Sequence, residues 1–169
     1  MGNERKLQQM TKQTLEVSDE VSGIFESAQH FLGVENYRSA AERLEQVIVL
    51  CPDYAHFWER LGTCYREDKQ AERAESCYAR ARALDGNNFQ AAFHWGVLKM
   101  DAERWEEAEK QFRDAVRLSP SDAKTRVNLA ICLLQRNKKE EWRVEILEAL
   151  KLDPSISIPQ EWILSLRGR

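Results

Sequence analysis

The sequence is poor in the residues that break or cross-link chains: seven glycines, four prolines and four cysteines in 169 residues. No run of Val, Ile and Thr alternates with polar residues, so strands are not expected. No apolar stretch approaches the roughly 20 residues that cross a bilayer, which argues against membrane insertion. The opening MGNERKLQQM has no apolar core of the signal-peptide kind, and Lys6 stands where a myristoylation signal wants Ser or Thr. The expected setting is therefore the cytoplasm. Charge is abundant, at 31% of residues, but mixed in sign, with a net of −3 and a pI near 5.7. Nucleic-acid binding, which usually wants a basic patch or a pI above about 9, is not indicated.

The usual catalytic and metal signatures are missing as well. His30, His56 and His94 are isolated, none lies in H-E-x-x-H, and there is no phosphate-binding glycine loop. Carboxylates such as Glu106, Glu107 and Glu109 fall on faces expected to be solvated. Cys51, Cys64 and Cys77 are thirteen apart, a spacing that invites a metal or disulfide reading. No C-x₂₋₄-C pair exists, and buried free thiols are the preferred reading of all four cysteines, Cys132 included. No catalytic residue, metal or cofactor is expected.

What is present is helical periodicity throughout, which makes the chain all-α, and an internal period. Pro52, Pro120 and Pro154 follow LC, LS and LD; the last two are 34 apart, the first two twice that, and Gly86 stands midway in ALDGNN. The units are 21–54, 55–88, 89–122 and 123–156, each with two short apolar-periodic segments around a polar turn. Such segments are marginal alone in water but bury a continuous core when stacked as hairpins.

The pattern within each unit resembles the tetratricopeptide repeat, whose signature is W-x₂-L-G-x₂-Y followed by A-x₃-F, A and P within 34 residues. Unit two carries Trp58, Leu61, Gly62, Tyr65, Ala74, Tyr78 and Ala81, with Gly86 in place of the proline. Unit three carries Trp95, Gly96, Ala108, Phe112, Ala115 and Pro120 and departs at Ala92 and Lys99. Unit one carries Ala28, Phe31, Ala40, Leu44 and Pro52, with Ile24 for the tryptophan. Unit four carries Leu129, Ala130, Leu133, Ile146, Ala149 and Pro154. The resemblance implies a right-handed superhelix of stacked hairpins. In it, Gly62 is expected to sit opposite Ala74 and let the two helices of its hairpin touch. Trp142 breaks the pattern at the place of Ala40, Ala74 and Ala108, and is expected to splay the fourth hairpin or turn outward.

Outside the repeats, Leu7, Met10, Val17 and Val21 share a helical face, which predicts a helix over about 4–17 within an extension spanning 1–20. It would cap the first hairpin or lie elsewhere. Residues 157–169 hold Pro159, Trp162, Ile163 and Leu166, a short helix that either caps the fourth repeat or docks in the groove or on a partner.

The resemblance also implies where a ligand sits: a concave groove lined by the first helix of each unit. Carried over position by position, the groove candidates are Phe25 and Gln29; His56, Arg60, Thr63 and Arg66; Phe93, His94, Val97 and Met100; and Lys124, Val127, Asn128, Ile131 and Leu134. Phe93, Val97, Met100, Val127, Ile131 and Leu134 form an apolar lane at non-signature positions. Arg60, Arg66, His94 and Lys124 form a basic strip beside it. Together these suit a peptide or helix with apolar anchors and an acidic group, although the lane could instead hold the protein's own tail or a second copy. The family's clamp for a chaperone C-terminal carboxylate is not matched: in units two to four its places hold Glu59, Thr63, His94, Lys124 and Asn128, where only Lys124 fits. The leading expectation is a non-enzymatic protein-interaction module, an adaptor or scaffold. The alternatives are a secretion chaperone of the type III translocator class and a self-assembling, homo-oligomeric scaffold.

Overall fold

Residues 19–167 are described in the computed structural model of the chain, and every regular element among them is helical. The four hairpins are α1 (Asp19–Gly33) with α2 (Tyr37–Leu50), α3 (Ala55–Glu67) with α4 (Ala71–Leu84), α5 (Phe89–Asp101) with α6 (Trp105–Leu118), and α7 (Ala123–Gln135) with α8 (Lys139–Leu152). A short helix, α9 (Gln160–Arg167), follows. The starts of α3, α5 and α7 step by 34 residues, from 55 to 89 to 123. The helix expected over 4–17 lies outside the described residues.

Each hairpin turns in the same way. Glu35, Lys69, Glu103 and Asn137 adopt left-handed φ values of 55° to 63°. The amide of each donates to the carbonyl three residues back, and the next amide donates five back, as in Gln70 to Tyr65 and Lys138 to Leu133, both at 2.8 Å. This pair of bonds satisfies carbonyls that the helix end would otherwise leave orphaned. The second helix can then start at once and fold back on the first. Asn36, Asn88 and Asp122 cap three of the helices by accepting from the amides of Ser39, Ala91 and Thr125.

The glycine in LGTCY has a different opponent from the one expected. A Cβ at Gly62 would lie 2.7 Å from the ring of Tyr78, and one at Gly96 would lie 2.8 Å from the ring of Phe112. Ala74 and Ala108 are fully buried nearby, but the glycine's bare face accommodates the aromatic one turn further along. In units one and four the same register pairs Ala28 with Leu44 and Ala130 with Ile146, all fully buried. Glycine thus accompanies an aromatic, and alanine an aliphatic. Trp142 also departs from expectation. It is buried, at 5% exposure, and the α7–α8 contact is as extensive as in the other hairpins. Its ring meets Trp162 of α9 edge-on at 5.6 Å, and Arg143 donates to the carbonyls of Ser165 and Leu166 at the end of that helix. The large side chain fits because α9 covers it.

The loops between units are closed by side chains of three origins. Trp58 Nε1 donates to the Pro52 carbonyl at 2.7 Å. Arg126 occupies the equivalent place two periods later and donates to the Pro120 carbonyl at 3.0 Å. In unit three that place is Ala92, and Arg82 of the preceding helix reaches the Gly86 carbonyl instead.

Ion pairs lace the stack. Buried Glu109 receives Arg113 at 2.9 Å, Arg136 at 2.6 Å and Lys138 at 2.8 Å. Burial alone would raise its pKa, but those three hydrogen bonds outweigh it and hold the carboxylate below its ordinary value. Lys99, at the signature tyrosine's place, is buried between Glu75 and Glu107.

Candidate interaction surface

Successive hairpins touch mainly where the second helix of one packs on the first helix of the next, α2 on α3, α4 on α5 and α6 on α7; the first helices α3, α5 and α7 also approach one another, whereas the second helices meet marginally at most. Closer spacing on one side curves the stack toward it, so α1, α3, α5 and α7 line the inner face. Repeat positions spaced by 34 therefore form rows across that face.

One such row reads Phe25, Glu59, Phe93 and Val127. Three are partly exposed apolar side chains; Glu59 is a carboxylate with 4% exposure. Around Glu59 stand His56 Nδ1 at 3.8 Å, Arg60 Nε at 3.9 Å and His94 Nε2 at 3.7 Å. Thr63 Oγ1 donates to its Oε1 at 3.3 Å. Burial raises the Glu59 pKa against the pull of Arg60 and Thr63. Burial lowers that of His56, with Arg60 adding to the effect. His94 is pushed down to about 4, first by burial and then by Arg66, Arg60 and Lys124. His94 is therefore neutral at pH 7 and adds no charge to the strip. Arg66 is half-buried and held by Glu67 and, at 3.5 Å, by Asp101. That leaves Arg60 and Lys124 as the outward-facing cations of the four.

Phe25 joins units one and two through ring contacts with His56 at 5.9 Å and Phe57 at 5.2 Å. Gln29 is exposed on α1, apart from these clusters. On the other half of the face, Phe93, Val97, Met100, Val127 and Leu134 pack with one side against the C-terminal core and keep the other partly exposed. Ile131 and Asn128 are likewise partly exposed on α7. Phe93, His94 and Lys124 come together around a pocket of about 250 Å³, with Lys124 Nζ 5.7 Å from the Phe93 ring. Phe89 and Asp122 line it too. Sequence reasoning missed both, since one is a helix-start residue and the other reads as a cap.

Cys64, Cys77 and Cys132 are buried, and burial pushes each thiol up to about 12. Thiols so protonated are poor nucleophiles. A disulfide-exchange reagent at pH 8 should label at most Cys51 in the native protein, with the other three reacting only after denaturant is added. Labelling of two or more in the folded state, counted by mass spectrometry, would contradict this burial. Among the described residues no group of His, Cys, Asp or Glu is placed to hold a metal ion. No described helix is long and apolar enough to cross a membrane.

Hairpins repeated at 34 residues, each packing its second helix on the first helix of the next, define a helical-repeat solenoid. The tetratricopeptide-repeat family model matches residues 25–89 and 93–155, and the chain belongs to that family. Solved structures of the same fold include a crystal structure of MamA, at 16% identity and TM-score 0.75, covering 79% of this chain and 78% of that one. PilF of Pseudomonas aeruginosa aligns at 21% identity and TM-score 0.73, over 82% of this chain and 64% of its own. YrrB, described as a protein of this repeat class with an unusual peptide-binding site, aligns at 18% and 0.70, over 88% and 75%. At these identities the likeness is one of fold. No curated protein matches the sequence. The tetratricopeptide-repeat fold is that of a protein–protein interaction module.

Proposed function

We propose that this chain is a non-enzymatic adaptor that holds an extended or helical segment of another protein against the inner face of its solenoid. One observation carries the reading. Phe93, Val97, Met100, Val127, Ile131 and Leu134 stay partly exposed on α5 and α7, at positions the repeat signature does not require to be apolar. Apolar side chains gathered in a groove mark contact with a partner. Buried Glu59 disfavours an acidic group over α3, so an acidic residue of the partner would sit beside Lys124, at the 250 Å³ pocket. YrrB, a protein of the same repeat class with an unusual peptide-binding site, is in keeping with this use.

The test is the double substitution Val97→Glu with Ile131→Glu, compared with wild type by pull-down and mass spectrometry. Partners recovered by wild type should fall by roughly tenfold or more while helical circular dichroism is unchanged. Undiminished capture by the folded double variant would remove the inner face from consideration.

A further inference from the structure

The repeat gives the outer face three equivalent places, each between successive second helices and above α3, α5 or α7. Two are filled by arginine. In the second crevice Arg82 pairs with Asp114 at 3.1 Å as well as closing its loop. In the third, Arg126 rises from α7 to Glu145 of α8 at 2.8 Å. Both side chains are only 15% exposed.

The first crevice lacks an arginine at either place. The counterpart of Arg82, one period earlier, is Ile48; the counterpart of Arg126, two periods earlier, is Trp58. Trp58 closes the loop, but the crevice stays open as an apolar cleft of about 480 Å³ among Ile48, Val49, Trp58, Leu61 and Cys77. Val49, at its lip, is 80% exposed. The rim is acidic. Glu72 is exposed and makes no ion pair among the described residues, and Glu45 Oε1 accepts from Arg73 at 2.7 Å and from the Tyr65 hydroxyl. Beyond Glu45 a polar hollow of about 280 Å³ continues past Glu42, Asp68, Arg38 and Arg73.

The geometry points to this first crevice as a docking site for a segment of a partner protein that presents aliphatic side chains beside an arginine or lysine. Such a guest supplies what Arg82 and Arg126 supply in the other two: an alkyl stem over the apolar floor and a cation toward a carboxylate. Glu72 is the carboxylate that lacks its cation. A second copy of a chain with net charge −3 is the poorer match to an acidic rim. The site is separate from the inner face and independent of it.

The experiment pans a displayed random-peptide library on the full-length protein with counter-selection on Val49→Lys. Val49 is exposed, so the variant keeps the stack while placing a cation at the lip. Enriched peptides should combine Leu, Ile or Val with Arg or Lys, and bind wild type roughly tenfold or more tighter than Val49→Lys by fluorescence polarisation. Glu72→Lys should weaken them similarly and Glu26→Lys, on α1, should not. The proposal is overturned if no peptide survives counter-selection, if the survivors are acidic, or if Glu72→Lys leaves their affinity unchanged. A wild-type dimer that Val49→Lys dissociates in light scattering would assign the cleft to a second copy, and also overturns it. So does a carbodiimide cross-link from Lys12 to Glu72 in the free monomer, which would assign it to the chain's own N-terminal segment.

Discussion

Trp142→Ala should release α9 and cost about 3–5 kcal/mol, the range for deleting a large buried aromatic. The substitution restores the residue type found at Ala40, Ala74 and Ala108, so the α7–α8 backbone has no reason to open. The loss falls at the terminal interface, where Trp142 is buried against Trp162 and Arg143 closes the end of α9. In a stack whose units touch only their neighbours, damage at one end stays at that end. Hydrogen exchange should therefore show residues 160–167 losing protection and 139–152 weakened, with 55–84 unchanged. The Trp142 indole N–H has no hydrogen-bond partner, so Trp142→Phe, which keeps most of the ring, should cost far less. Undiminished protection of α9 in Trp142→Ala would show that the tryptophan does not hold it.

The second large effect concerns the glycine–aromatic pairs. Gly96→Ala puts a methyl 2.8 Å from the ring of Phe112, which is fully buried and cannot swing aside. Overpacking of this kind costs about 1–3 kcal/mol, against a helix-propensity gain of about 1 kcal/mol. A net loss of up to about 2 kcal/mol is expected, a fall in Tm of up to roughly 8 °C at this chain length. Phe112→Leu alone should also destabilise, by leaving a void beside Gly96. Combined, the two reproduce the Ala28–Leu44 pairing of unit one. The double variant should be more stable than the sum of its singles predicts, by about 1 kcal/mol or more in a double-mutant cycle. Simple additivity would mean that the two positions do not share a space.

Gly62 and Gly96 also mark the limit of reading by periodicity. The spacing of Trp58, Leu61, Gly62 and Tyr65 placed them on a helix, and the 34-residue period recurs in the starts of α3, α5 and α7. Periodicity says which residues share a face; it does not say which way a side chain leans. Helical side chains point back toward the N-terminus, and that lean brings Tyr78, one turn beyond Ala74, onto the glycine. Trp142 was misread for a related reason: what it does depends on α9, which meets it only after the chain has turned. Register assigns the candidate residues to the first helices, but it does not give their charge. His94 looks cationic in a sequence and is neutral in the fold because Phe93, Tyr78 and the stack remove it from water. The first outer crevice was invisible because its openness is a difference among three places, two of them filled from different helices.

The three loop closures have a consequence for anyone who would rearrange these units. Joining residue 54 directly to residue 89 would place unit three after unit one. The Pro52 carbonyl would then face Ala92 on one side and Ile48 on the other, neither of which can donate a hydrogen bond from its side chain. Joining 88 to 123 instead would bring Arg82 and Arg126 to the same Gly86 carbonyl, two cations contending for one acceptor. The order of the hairpins is thus written into their seams, and the chain cannot be shuffled as though its parts were interchangeable.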